Sequence, residues 1–159
     1  MQKNETIEFS DVTHPILRCL EEWEHELSNL KEETITIKRN HQNRSIRQII
    51  GHLIDSAANN HQRIVRLQYN KVLVFPDYQQ DNDLWISLQD YQQADWRNMV
   101  LLWKYYNLHL VQVIRSVDPE CLGNTWSNFE GKSVTLQQMI EGYTGHLALH
   151  MAEIRELLG

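Results

Sequence analysis

Helix-breaking residues are scarce in this chain, and so are basic ones. Gly occurs six times and Pro three times in 159 residues, so most of the length is free to hold regular backbone. The abundant Leu, Ile, Gln and Glu lose little rotamer freedom in a helix. Lys and Arg number 15 against 21 Asp and Glu, a formal charge of −6. A nucleic-acid binder needs a basic surface to displace counterions from phosphates, and an anionic membrane surface asks for the same. Neither partner is expected. Apolar runs are a few residues long, as in Met99 to Trp103, far short of the ~20 that span a bilayer. Met1 to Ser10 is polar, without the apolar stretch of a secretion signal. Cys19 and Cys121 lack CxxC spacing, and they read as reduced buried thiols of a cytoplasmic protein rather than a disulfide or zinc knuckle.

What is present is one domain's worth of chain, 1–159, with 42% apolar residues and enough length for a single core. Four apolar stripes run along it at helical spacing. Ile16, Leu20, Trp23, Leu27 and Leu30 step by four and three, which predicts a first helix from about Thr13 to Leu30 with Pro15 in its first turn. Thr34 to Asn43 reads as a polar connector. Ser45 with Gln48 forms a capping-box start for a second helix to about Gln68, buried along Ile46, Ile49, Leu53, Ala57, Ile64 and Leu67. A third, from near Asp90 to Val117, carries Trp96, Met99, Trp103, Tyr106, Leu110, Val113 and Val117, and Asp118-Pro119 ends it. Thr135 with Gln138 caps a fourth, which continues to Leu158. Such stripes pack as an all-α, up-down four-helix bundle. The long connections Lys71–Gln89 and Glu120–Lys132 hold Phe75, Tyr78, Trp85, Trp126 and Phe129 and read as packed covers.

Eight histidines give the chain its chemistry. His146 and His150, in Gly145-His146-Leu147-Ala148-Leu149-His150, lie one turn apart on one side of the fourth helix. His150 falls inside its apolar arc and His146 at the edge. Two imidazoles so placed can hold one divalent ion with help from a facing helix; the alternative is a hydrogen-bonded pair of core histidines. On the second helix, His52 and His61 are about half a turn out of phase, so only one of them can join. Periodicity alone puts His61 nearer the middle of the apolar arc and leaves the choice open. His14, His25 and His41 read as flanking or surface residues, and His109 as a packing or surface residue. Asp55, one turn after His52, is either an acceptor for an imidazole N–H or a solvated carboxylate. Asn59 and Arg63 share the His52 side and stand where a bound anion or a surface ion pair would meet them.

Gly51-His52-Leu53-Ile54-Asp55 after a capped helix start, followed in the last helix by Gly142-Tyr143-Thr144-Gly145-His146-Leu147-Ala148-Leu149-His150, resembles the DinB-like superfamily. That group includes metal-dependent hydrolases of the YfiT type and thiol-dependent transferases. Arg63-Ile64, Pro76-Asp77-Tyr78, Asp83-Leu84-Trp85, and Trp103 before Asn107-Leu108-His109 resemble its middle section, so the likeness covers about Thr13 to Leu158. The resemblance implies a bundle that holds zinc or nickel on one histidine of the second helix and two of the fourth. In this sequence those are His52, His146 and His150, with water in the remaining positions. It also implies a homodimer, and it supplies no substrate.

An ion on three neutral imidazoles keeps its charge and an open position, which acidifies a bound water or thiol. Hydrolysis and transfer from a low-molecular-weight thiol to a small organic electrophile are therefore the two reactions expected. Leu147 stands where the His-Glu-x-x-His pattern of zinc hydrolases has its general base, which favours the thiol route, since that route needs less acid–base machinery. The competing class is a non-catalytic, metal-binding or dimerising stress-related bundle. A catalytic ion should sit at the bottom of a cleft roofed by Lys71–Gln89 and lined by Phe75, Tyr78, Trp85 or Trp126.

Overall fold

In a computed structural model, which describes residues 9–76 and 79–159, the four stripes become the long helices α1 (Ser10–Ser28), α3 (Ile46–Leu67), α5 (Trp96–Arg115) and α6 (Leu136–Leu158). Two short helices, α2 (Glu32–Ile37) and α4 (Asn82–Leu88), lie in stretches expected to be connectors. Both capping boxes form: Ser45 and Thr135 each accept from the backbone N–H three residues on, and Gln48 and Gln138 return the bond. Caps of this kind stabilise a helix start by about 1 kcal/mol. At the first helix the expectation needs correcting. The helix begins at Ser10, so Pro15 lies inside it, where its missing N–H leaves the carbonyl of exposed Asp11 to solvent. The third stripe starts later than expected too. Asp90 has φ +48° and ends a turn before the short 3-10 segment Tyr91–Gln93. Asp95 then caps α5 by accepting from Asn98.

Around the bundle, α1 and α3 each pack against both α5 and α6. Trp96 Nε1 donates to the Leu27 carbonyl and Lys104 pairs with Glu24, so α1 and α5 run antiparallel. His52 meets His150 while Ser56 meets His146, so α3 and α6 are antiparallel as well. Arg47 reaches the Gln92 carbonyl at one end and His61 the Tyr106 hydroxyl further along; α3 and α5 therefore run the same way. The four-helix bundle thus lacks the strict up-down alternation expected, because the long crossing between these two helices returns the chain to its starting end. The core is apolar at every stripe, with Ile16, Leu27, Ile64, Trp103, Leu110 and Ile154 fully buried.

Three short strands flank the bundle: β1 (Val72–Val74) and β2 (Thr125–Ser127) in the two long connections, and β3 (Ser133–Thr135) leading directly into α6. β1 pairs parallel with β2, and β2 antiparallel with β3. Three-residue strands carry too little alternation to be read from sequence. The sheet nevertheless positions the site, because it sets Trp126 beside the C-terminal half of α3. At the other end of α3, Arg44 bonds Asp83 of α4 through Nε and Nη2, and Arg47 pairs with Glu32 of α2. Among the described residues no helix is long and apolar enough to cross a membrane.

Candidate metal centre

Helical spacing brings His146 and His150 to one face of α6, and α3 crosses that face with His52. The ligand nitrogens of these three rings all lie within 4.8 Å of one another. Nitrogens bound to one tetrahedral ion at 2.0–2.1 Å are about 3.3 Å apart. His146 and His150 are already at that spacing, Nε2 to Nε2 3.2 Å, and the His52 nitrogen lies within 4.8 Å of both. His52 and His150 are buried and His146 half-buried.

The polar surroundings fix which nitrogen faces inward. His150 Nδ1 lies 3.0 Å from Glu153 Oε2. A carboxylate only accepts, so Nδ1 carries the proton and Nε2 presents its lone pair to the site. Glu153 is itself held by Asn40 Nδ2 at 3.1 Å. His146 Nδ1 lies 3.3 Å from Ser56 Oγ, which leaves its Nε2 facing that of His150. Two ring nitrogens 3.2 Å apart repel unless a proton or a cation lies between them. Burial, with His150, Arg44 and His146 nearby, pushes the His52 pKa down to about 3. Burial and His150 likewise push that of His146 down to about 4. Both rings are therefore neutral near pH 7, the form in which imidazole binds metal. The donor set, its tautomers and its charge state fit a divalent ion of the zinc or nickel type.

His61 takes no part. It lies 3.2 Å from Tyr106 Oη, and its ring packs edge-on against exposed His109 at 5.0 Å. This places His109 away from the site. Asp55 departs from both of its expectations: it is buried rather than solvated, and it accepts from Gln89 Nε2 at 2.9 Å and Tyr91 Oη at 2.8 Å rather than from an imidazole. The Tyr91 ring covers Gly51, where a Cβ would overlap it. Gly51 and Asp55, one turn apart, are thus the seat of Tyr91. Sequence reasoning missed Glu153 and Ser56. Glu153 sits three residues after His150, a helical spacing that points to it; Ser56 stands one turn after His52.

His52 and Ser56 open onto a cleft of about 270 Å³. Its walls are more polar than expected. Asn59, Asn60, Gln80 and Asn128 line it with Trp126, and Arg63 closes its far end along α3. Of the expected aromatic lining, Trp126 is there. Phe75 contributes its carbonyl to Trp126 Nε1 and Arg63 Nε, Trp85 lies at a separate surface groove with Leu88 and Gln89, and Tyr78 lies outside the described residues. The roof from the Lys71–Gln89 connection is Pro76, Gln80 and Asn82.

A solved structure with the same architecture is YfiT from Bacillus subtilis, described as a probable metal-dependent hydrolase with an unusual four-helix bundle topology. It matches 99% of this chain and 91% of its own with a TM-score of 0.83 at 17% identity. No curated protein matches the sequence. The family model of the DinB superfamily matches residues 16–154, nearly the whole of the bundle and all three converging histidines, and the chain belongs to that superfamily.

Proposed function

We propose that His52, His146 and His150 hold one divalent metal ion and that the chain is a metal-dependent enzyme acting on a small organic molecule in the adjoining cleft. The observation that carries this reading is the meeting of three imidazoles, one of them oriented by Glu153, at the end of a cleft wide enough for a small ligand. An ion there supplies Lewis acidity, lowering the pKa of a water or thiol beside it. The chain's own part is to orient and to shield. Glu153 and Ser56 hold the rings of α6, Arg44 and Arg47 tie down the start of α3, and Trp126 with Pro76, Gln80 and Asn82 narrows access for bulk water.

Transfer from a low-molecular-weight thiol is favoured over hydrolysis. Among the described residues that line the cleft, none is a carboxylate and the one imidazole is His52 itself, so no side chain there stands ready as a general base. A thiol made acidic in the site needs none. Exposed Leu102 and Tyr105 on one side of α5 support a homodimer, which sedimentation equilibrium checks.

The test is an activity screen of low-molecular-weight thiols against epoxides and activated halides, in parallel with amides and esters, using His150→Ala as the blank. Turnover by the parent and none by the variant is the expected result. Equal turnover by both removes the catalytic reading and leaves any ion as a tie between α3 and α6.

A further inference from the structure

The cleft has a second end, and its chemistry is different. His52, Ser56, Asn59, Asn60 and Arg63 form one stripe of α3 along the cleft. Eleven residues at 1.5 Å each separate His52 from Arg63, about 16 Å along the axis. Arg63 is held there by its neighbours. Its Nε donates to the Phe75 carbonyl at 3.2 Å, and its guanidinium lies 4.2 Å over the Trp126 ring. Trp126 Nε1 donates to that same carbonyl at 2.6 Å, so one backbone oxygen locks both members of the stack. Among the described residues, the ion pairs found leave Arg63 out. The two Nη groups form a flat fork, rigid before any ligand arrives, which matches the geometry of a carboxylate.

We propose that the cleft takes a small molecule bearing a carboxylate, which sits on the Arg63 guanidinium while the reacting end of the molecule lies toward His52. The assignment of the reacting end rests on the reading of the histidines as a metal site; the carboxylate seat does not. Several features of the cleft agree. The described lining holds a cation and no anion, so its field draws negative charge. Burial holds the Arg63 pKa below its ordinary value, the behaviour of a cation short of counter-charge. A single guanidinium fork among neutral amides pairs with one carboxylate, whereas a phosphate, with three oxygens on one centre, asks for more donors there. Asn59 donates to Gln80 at 2.8 Å, and these amides give the middle of the cleft polar edges for a chain that spans it.

The test reads the Trp126 indole, which shares the Phe75 carbonyl with Arg63. Its N–H resonance, assigned from a Trp126→Phe spectrum, is followed while the full chain is titrated with glutarate, glutaramide or inorganic phosphate. Protein as purified and chelator-treated protein are run side by side. Expected is a saturable shift with glutarate in both samples. Affinity should fall on the order of tenfold or more for glutaramide and for Arg63→Gln, the loss of one charge-assisted pair. Arg63→Lys, which keeps the charge and loses the fork, should fall between. Equal affinity for the amide, unchanged affinity in Arg63→Gln, tighter binding of phosphate than of glutarate, or no shift at all would each overturn the proposal. Should Arg63→Gln fail to fold, the glutarate–glutaramide comparison on the parent decides. Because the chelated sample binds without metal, failure here and failure of the histidine site are separate results.

Discussion

On α3, His52 faces α6 and His61 faces α5, and each meets imidazole chemistry on the helix it faces. The His52 group has three rings from two helices, a half-buried carboxylate on one ring, and a cleft at its edge. The His61 group has two rings and the Tyr106 phenol, with His109 exposed. Nine residues of one helix thus separate a set of donors fixed by surrounding polar groups from a set that solvent can satisfy. Residue type does not distinguish the two; convergence and orientation do.

Deleting one ring from each group should separate the two most strongly. His150→Ala should lose bound metal altogether while keeping its helical circular dichroism, because the α6 stripe packs without that ring. His61→Ala should retain the parent's metal content by elemental analysis. Next in size is the orienting carboxylate. Glu153→Gln should lower metal affinity roughly 10–100-fold, measured by competition with a chromogenic chelator, whereas Tyr106→Phe should leave it alone.

Acid gives a third contrast. In the metal-free protein the His52 and His146 pKa values, about 3 and about 4, lie below the ordinary 6.5. As pH falls below 6.5 the unfolded chain takes up protons first, so stability is full above that value and declines toward pH 4. Chemical denaturation at a series of pH values checks the slope, and His52→Gln should flatten it. Gly51→Ala should cost about 1–3 kcal/mol of stability by overpacking against Tyr91, with metal stoichiometry kept. A thermal melt and a metal assay together read this. The smallest effect is reserved for His109→Ala, within about 0.5 kcal/mol as for other exposed positions.

How legible all this was depends on the length scale of each signal. The long helices could be read because each repeats its stripe over five turns or more, and Ser45 and Thr135 marked their starts within a residue. The connectors hid α2 and α4, whose six and seven residues are too few for a stripe to repeat. They also hid the sheet that carries Trp126 to Arg63. His146 and His150 were legible as a pair from spacing. His52 was not, since periodicity leaned toward His61 and only the family likeness pointed to His52. The bundle shows why: a helix between two neighbours has two buried flanks, so nearness to the centre of one apolar arc does not say which neighbour a ring meets. Asp55 could not be assigned for the same reason, as its partners Gln89 and Tyr91 come from a distant connection. Glu153 was within reach at helical spacing from His150.

His52, His146 and His150, and no other imidazole, are proposed to bind one ion. X-ray absorption on tag-free protein loaded with one equivalent of zinc tests it most directly. Three imidazole nitrogens are expected at about 2.0–2.1 Å, falling to two in His52→Ala and unchanged in His61→Ala. A shell with fewer than three imidazoles, a thiolate ligand, or loss of a ring in the His61 variant instead of the His52 variant would contradict it.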